Sequence, residues 1–125
     1  MDIYFAGDYP AGREEAEDAS SVVVRNLNAL RTGAKFKKPV VFWETGIQVK
    51  QLYPEKEAEA REAKRAGYLE ALDQSCLEKG LAGWCWWVWR DYYLDENSKD
   101  RGLVTVDDEP KPAVAAMQEL ERPGT

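Results

Sequence analysis

One carboxylate of this chain stands where chemistry can take place, at the end of an apolar run. The run is Lys38-Pro-Val-Val-Phe-Trp-Glu-Thr-Gly46, in which Glu44 is followed two positions later by a glycine. An apolar run without polar interruption is typical of a parallel strand that is buried on both faces. The sequence therefore predicts a strand from Pro39 to Glu44 that delivers Glu44 to a site. The alternative is a solvated carboxylate at a strand end.

A tryptophan cluster follows further along the chain. The stretch Gly80-Leu-Ala-Gly-Trp-Cys-Trp-Trp-Val-Trp-Arg-Asp91 holds four of the five tryptophans. A carboxylate together with an aromatic surface indicates carbohydrate chemistry. We expect Trp86 or Trp89 to face a sugar and Trp87 to pack on helices. Some of the cluster must also serve as core, because aromatic side chains bury large areas.

Composition excludes several kinds of chemistry. The chain has no histidine, which excludes serine–histidine and cysteine–histidine nucleophile pairs and histidine-ligated metals. A net charge of −6 disfavours nucleic acid as a partner. Cys76 and Cys85 lack metal-ligand spacing and are expected to be buried thiols. The acidic run Asp107-Asp-Glu109 lacks the spacing of a calcium loop and is expected to be a turn, so we predict no metal site and no cofactor.

Strand and helix patterns alternate along the chain. Apolar runs predict strands at Asp2–Ala6, Pro39–Glu44 and Leu81–Trp87, and apolar residues three and four apart predict helices at Arg13–Arg31, Glu55–Glu78 and Pro112–Leu120. Long helical connections between strands are typical of the right-handed crossovers of a parallel sheet. We expect a single α/β domain over residues 1–125, with a short parallel sheet and helices on its outer face.

The start of the chain has no basic leader region, and no apolar run reaches the length of about 18 residues that a membrane span requires. The sequence therefore predicts a soluble chain with no membrane contact, no signal peptide and no transmembrane segment. It leaves the cellular compartment open. Arg90-Asp91, in the charged loop after the tryptophans, is expected to be an ordinary loop ion pair.

Four segments together resemble the C-terminal three βα units of retaining (β/α)8-barrel glycoside hydrolases, the clan that contains cellulases, mannanases and β-galactosidases. Asp2 to Pro10 resembles the sixth strand and its exit, Lys38 to Gly46 the seventh strand, and Gly83 to Asp91 the eighth. Gly102 to Ala113 is similar to the segment that introduces the last helix. The resemblance covers nearly the whole chain and implies part of a TIM-type (β/α)8 barrel.

The resemblance also implies roles for single residues. In that clan the seventh strand carries the nucleophile, so Glu44 matches the nucleophile position. A tryptophan of the eighth strand commonly floors the sugar site, here Trp86 or Trp89. Tyr9 matches an aromatic residue at the exit of the sixth strand, although a tyrosine in a turn is an equal alternative.

Strand alternation extends this assignment to the neighbours of Glu44. If Glu44 faces the barrel interior, Val40 and Phe42 face it as well, and Val41 and Trp43 face the helices. A barrel sector alone exposes this inner face and two sheet edges to water. We therefore expect a homo-oligomer or a complementary barrel chain to cover them.

The chain also departs from the family pattern. A complete barrel takes about 250 residues, and the acid/base that retaining hydrolysis needs as its second carboxylate follows the fourth strand in that clan. The resemblance thus implies a protein that acts on O-glycosidic bonds, or derives from such an enzyme, and is expected to be inactive as an isolated chain. Two alternatives stay open, namely a noncatalytic carbohydrate-binding or assembly module and a nonfunctional folded remnant.

Overall fold

Strands and helices alternate in the computed structural model, which describes residues 4–30, 40–92 and 100–120. Within these ranges the strands are β1 (Tyr4–Gly7), β2 (Val40–Thr45) and β3 (Gly83–Trp86). The helices are α1 (Arg13–Ala16), α2 (Ala19–Leu30), α3 (Val49–Leu52), α4 (Ala58–Glu78) and α5 (Pro112–Gln118). This order confirms the predicted α/β class.

The strands form one parallel sheet in the order β1-β2-β3. Between β1 and β2, Phe42 lies opposite Ala6, whereas Glu44 lies opposite the next residue, Gly7. Trp43 is thus an extra residue, which is the pattern of a β-bulge. The pairing between β2 and β3 shifts over the same stretch. The sheet is parallel as predicted, but the bulge changes which side chains face the helices.

The main hydrophobic core lies between the sheet and the helices. Its most deeply buried members are Val22, Val23, Phe42, Ile47, Val49, Tyr53, Tyr68 and Leu72. A second cluster joins Leu69 of α4 to Leu103 and to Ala113 of α5. Fully burying a large apolar side chain contributes about 1.5–3 kcal/mol, so this packing fixes the helices to the sheet. The helices cover one face of the sheet, as expected for the outer face of a barrel sector.

Phe42 faces the helices, which corrects the predicted inward orientation. Its side chain is fully buried in the main core, and Thr45, three residues later, is fully buried as well. Regular alternation would place these two on opposite faces, and the bulge at Trp43 brings them to the same one. Val40, two residues before Phe42, shares its side by alternation, so the prediction for Val40 is wrong too. The predicted direction of the Trp43 side chain lies outside what the structure describes.

The predicted first helix is two helices, α1 and α2, with a break at Glu17 and Asp18. Asp18 occupies the residue before α2, the N-cap position, where aspartate is strongly favoured. Its carboxylate accepts a hydrogen bond from the Ser20 hydroxyl at 2.6 Å, and its carbonyl accepts one from the Ser21 hydroxyl at 2.8 Å. Asp18 therefore marks the start of a second helix within an apolar pattern that is continuous in the sequence. The predicted end at Arg31 lies outside the described residues.

Other boundaries shift by a few residues. The second predicted helix begins at Ala58 instead of Glu55. The short helix α3 precedes it where no element was predicted, because a single helical turn is too short to show periodicity. The third strand is shorter than the predicted Leu81–Trp87. The predicted starts at Asp2 and Pro39 lie outside the described residues. None of the helices in the described part of the chain is long and apolar enough to cross a membrane.

The two cysteines differ in burial. Cys76 is buried as predicted, whereas Cys85 is exposed. Trp84 and Trp86 pack with the helix-side core, so alternation turns Cys85 to the other side of β3. We call this side of the sheet, opposite the helices, the open face. The prediction for Cys85 is wrong because an apolar strand pattern does not reveal that the described helices all pack on the other face.

Candidate active site

Glu44 lies at the carboxyl end of β2 and faces away from the helices. The next residue, Thr45, points to the helix side, where its hydroxyl lies 3.1 Å from the hydroxyl of Tyr68. Adjacent residues of a strand face opposite ways, so Glu44 is on the open face. Its carboxylate accepts a hydrogen bond of 2.6 Å from the Tyr9 hydroxyl. The structure thus brings two predicted site residues, Tyr9 and Glu44, into contact.

Tyr9 is a fixed hydrogen-bond donor. Burial raises the pKa of Tyr9 above its usual range, and the hydrogen bond to Glu44 and the negative charge of that carboxylate raise it further. The guanidinium of Arg101 opposes this shift. A phenol whose pKa is raised stays protonated at neutral pH, and its O–H points at the Glu44 carboxylate. One oxygen of Glu44 is therefore bound by Tyr9.

The clustered tryptophans divide between the core and the open face. Trp84 and Trp86 pack with the helix-side core, and the Trp86 ring lies 6.2 Å from that of Tyr68. Trp87 is 43% exposed and Trp89 56% exposed. The prediction that Trp87 packs on helices is wrong, because Trp86 takes that side and alternation turns Trp87 outward. A sugar-facing role for Trp86 or Trp89 stays a prediction, with Trp86 at a core position.

Trp87 lies directly beside the strand end that carries Glu44. Its N–H donates a hydrogen bond of 2.7 Å to the carbonyl of Thr45. Gly46 approaches so closely that a Cβ there would lie 2.6 Å from the carbonyl oxygen of Trp87, so only glycine fits. The peptide bond between Trp87 and Val88 is cis. Sequence reasoning did not place Trp87 beside Glu44. If Trp86 had been assigned to the core, strand alternation would have turned Trp87 to the side of Glu44.

Arg101 is a second residue that sequence reasoning missed. Its guanidinium carbon lies 5.6 Å from the centre of the Tyr9 ring, in the position of a cation–π contact. Such contacts contribute about 0.5–1 kcal/mol at exposed sites. A single arginine in a charged loop carries no periodic or motif signal. Its proximity to Tyr9 became visible only from the fold.

The predicted loop pair between Arg90 and Asp91 does not form. Asp91 is buried and pairs with Lys111 at 2.9 Å, whereas Arg90 is exposed and pairs with Asp108 at 2.9 Å. Successive side chains on an extended backbone point opposite ways, so sequence neighbours are poorly placed to meet. Asp91 is therefore an internal anchor of the loop that follows β3.

A small cavity opens beside Tyr9, with a volume of about 180 Å³. It is lined by Tyr9, Pro10, Ala11, Gln48, Gln51 and Leu52. The two glutamine amides offer both donors and acceptors, the groups that sugar hydroxyls need. Typical ligand pockets start at about 300 Å³. This cavity is therefore large enough for only part of a ligand.

Among residues 4–30, 40–92 and 100–120, no group of three or more His, Cys, Asp or Glu side chains is placed to hold a metal ion. The acidic run Asp107-Asp-Glu109 forms the predicted turn. The hydroxyl of Thr105 accepts hydrogen bonds from the N–H groups of Asp107 at 3.3 Å and Glu109 at 3.1 Å. These hydrogen bonds to the Thr105 side chain stabilise the turn, so the acidic run has a structural role.

A carboxylate, a phenol and an exposed tryptophan thus gather at the carboxyl ends of adjacent parallel strands. Catalytic residues of (β/α)8 barrels lie at this end of the strands. Together with the helices on one face, this arrangement defines a sector of a (β/α)8 barrel.

Comparison with solved structures confirms this fold. The chain is similar to a beta-glucuronidase from Faecalibacterium prausnitzii, with 22% identity, a TM-score of 0.67, and coverage of 94% of this chain and 21% of that chain. It is similar to the exo-beta-1,4-mannosidase Op5Man5 from Opitutaceae bacterium strain TAV5, with 19% identity, a TM-score of 0.65, and coverage of 95% and 23%. The chain is also similar to a triple mutant of an endo-beta-1,4-glucanase from Xanthomonas axonopodis pv. citri. The identity is 12% and the TM-score is 0.56, and the match covers 94% of this chain and 35% of that chain.

The likeness at these identities establishes the fold alone. The chain spans 21% to 35% of the length of these three structures, so it corresponds to a part of each. No family model and no curated protein matches the sequence. The predicted resemblance to barrel glycoside hydrolases is confirmed as a likeness of fold.

Proposed function

We propose that this chain is the nucleophile-bearing sector of a retaining glycoside hydrolase, with Glu44 as the nucleophile. One observation carries the proposal: the Glu44 carboxylate sits at the carboxyl end of β2 with the Tyr9 hydroxyl 2.6 Å away. The exposed Trp87 on the adjacent strand supports it by offering an aromatic surface on the same face. The three similar structures are all carbohydrate enzymes by name, which favours carbohydrate as the partner.

In this reaction Glu44 attacks the anomeric carbon while the glycosidic C–O bond breaks and an acid/base protonates the departing oxygen. Water, deprotonated by the same acid/base, then hydrolyses the covalent glycosyl-enzyme and frees Glu44. Tyr9 donates a hydrogen bond to one carboxylate oxygen and so leaves the other oxygen oriented for attack. Trp87 forms the floor under the sugar ring, and the more exposed Trp89 extends it. Trp86 supports this floor from the core side.

The reaction also needs an acid/base carboxylate about 5–5.5 Å from the nucleophile. A complete barrel has eight strands, and the described residues supply three. We assign the acid/base to the remaining strands, carried by another chain or by a further part of a longer chain. The sector alone is expected to bind sugar but to hydrolyse only substrates whose leaving group needs no proton.

A noncatalytic sugar-binding module is the second candidate. The exposure of Trp87 and Trp89, 43% and 56%, favours it, because stacking on a sugar needs an aromatic surface and no acid/base. A folded remnant, the third expectation, requires neither reactivity nor binding.

The test uses sugars that bypass the missing acid. Activated 2,4-dinitrophenyl 2-deoxy-2-fluoroglycosides release a phenolate that leaves without protonation, so a competent nucleophile traps the sugar covalently. We expect intact-protein mass spectrometry to show one glycosyl adduct, and peptide mapping to place it on Glu44. Glu44→Gln should form no adduct, whereas Glu70→Gln, which removes an exposed carboxylate of α4, should label like the wild type.

The other outcomes separate the candidates. Quenching of tryptophan fluorescence by oligosaccharides without any adduct would contradict the nucleophile and support the binding module. The absence of both across glucosides, mannosides and galactosides would contradict both and leave the remnant.

A further inference from the structure

We propose that Arg101 binds the carboxylate of an acidic sugar, so that the ligands of this site are uronic acids and their glycosides. This inference rests on the proposed function, because it places the sugar on Glu44 and the open face. It goes further in naming the substrate class and the residue that selects it.

Arg101 has different partners from the other arginines of the described residues. Arg61 forms no ion pair, but two backbone carbonyls, those of Tyr53 and Pro54, accept its hydrogen bonds. Arg13, Arg25, Arg65 and Arg90 each form an ion pair with a carboxylate. Arg101 forms none within this part of the chain, and its guanidinium lies over the Tyr9 ring. A cation without a counter-ion in a chain of net charge −6 is a candidate for recognising an anion.

The nearest polar partner of Arg101 is neutral. With its amide turned to the orientation that the neighbouring donors require, Gln48 accepts hydrogen bonds from two nitrogens of Arg101, Nε and Nη2. Gln48 also lines the cavity beside Tyr9. The guanidinium has five N–H donors in a planar fork, so a neutral amide leaves donors free for a ligand.

The backbone before Arg101 is held by a buried ion pair. Asp100 accepts a hydrogen bond of 2.8 Å from Arg65, whose side chain is fully buried and also pairs with Glu62. The second carboxylate oxygen of Asp100 accepts the N–H of Lys50 at 2.8 Å. Removing one partner would leave the fully buried Arg65 guanidinium without part of its charge compensation, which is unfavourable. Asp100 is therefore a fixed point.

The backbone at and after Arg101 is held as firmly. The N–H of Gly102 donates to Asp91 at 2.7 Å, and Asp91 is paired with Lys111 at 2.9 Å. The carbonyl of Arg101 itself accepts the indole N–H of Trp86 at 3.3 Å. A Cβ at Gly102 would lie 2.4 Å from the backbone nitrogen of Asp91. These contacts place the guanidinium beside the site at little further cost in backbone entropy on binding.

One aromatic ring, that of Tyr9, bridges Arg101 and Glu44. Tyr9 lies between them, with its hydroxyl on Glu44 and its ring face under Arg101. A phenol and a pyranose ring are similar in size, so a sugar whose anomeric carbon meets Glu44 can carry a ring substituent to Arg101. Arginine and carboxylate form paired, charge-assisted hydrogen bonds, which a neutral hydroxymethyl group does not provide.

Isothermal titration calorimetry at low salt tests this inference on the whole chain. The ligands are D-glucuronate and D-galacturonate, each compared with D-glucose and D-galactose. We expect at least one uronate to bind about tenfold or more tightly than its neutral parent, the gain of one charge-assisted contact. Arg101→Met should abolish this preference, whereas Arg90→Met, which removes an exposed arginine paired with Asp108, should preserve it.

The failures are distinguishable. Equal binding of uronate and neutral sugar overturns the inference and leaves the proposed sugar site standing. A preference that survives in Arg101→Met places the selecting residue elsewhere and also overturns it. If neither kind of sugar binds and no covalent adduct forms on Glu44, the proposed function fails and the inference fails with it.

Discussion

Two tyrosines bind glutamates in the same way and differ in their surroundings. Tyr9 donates to Glu44 at 2.6 Å, and Tyr53 donates to Glu17 at 2.7 Å. Glu17 also accepts a hydrogen bond from Lys64. The hydrogen bonds from Lys64 and from the Tyr53 hydroxyl both lower the pKa of Glu17. The pKa of Tyr53 is raised to about 12, by burial first and then by Glu17, and the pKa of Tyr9 is raised by burial first and then by Glu44. The second pair is a natural control for the first.

Removing either carboxylate should lower the pKa of one tyrosine. A neutral amide no longer disfavours the phenolate, so Glu44→Gln should move the Tyr9 titration to lower pH and Glu17→Gln should move that of Tyr53. Each pKa should stay above the ordinary value of about 10, because burial is the larger cause. Ultraviolet absorbance of phenolate, assigned with Tyr9→Phe and Tyr53→Phe, measures both. Unchanged titrations in Glu44→Gln would show that the Tyr9–Glu44 bond does not exist in solution.

Among the elements, regular periodic patterns were predictable and local irregularities were not. The strand ending at Glu44 and the long helix α4 follow from apolar runs and spacing. The bulge at Trp43 has no signature in a single apolar run, yet it moves Phe42 to the helix side. The sequence placed Tyr9 and Glu44 in the same site but did not predict their hydrogen bond, because the two residues are 35 positions apart in the chain. Local patterns determine element type, and tertiary packing determines register.

Two glycines give a matched test of the close approach between β2 and the end of β3. Gly46→Ala places a Cβ against the Trp87 carbonyl, so we expect a loss of about 1–3 kcal/mol in the free energy of unfolding and weaker sugar binding. Gly67→Ala lies in α4 with no atom within 4 Å of the new Cβ, and should gain about 0.5–1 kcal/mol. Urea unfolding followed by tryptophan fluorescence measures both. A Gly46→Ala variant as stable as the wild type would contradict the close packing.

At the scale of the whole molecule, the described helices pack on one face of the sheet. The helices pack on one side, whereas Cys85 is exposed on the other and Trp87 projects there. The outer edges of β1 and β3 are not paired with any other described strand. Exposed strand edges beside apolar side chains favour association with another chain. A homo-oligomer or a complementary barrel chain thus stays our prediction.

Light scattering across a range of concentrations tests this prediction. We expect a mass above the 14.2 kDa of one chain, rising with concentration. Trp87→Gln should shift the population toward the single chain, because it removes an apolar group from the open face. Leu77→Gln is the matched control, since Leu77 is 45% exposed against 43% for Trp87 but lies on α4. A single-chain mass at every concentration would exclude self-association and leave the complementary chain.

The order of the strands has one more consequence, for how such a sector can change between generations. Neighbours in the sheet are also neighbours along the chain, β1 beside β2 and β2 beside β3. Each strand and the helix that follows it therefore form a unit. Such a unit can be added at an edge of the sheet, or removed from it, without changing the connections between the other strands. Recombination at the boundaries of these units can transfer the Glu44 strand, together with its Tyr9 and Trp87 neighbours, as one inherited block.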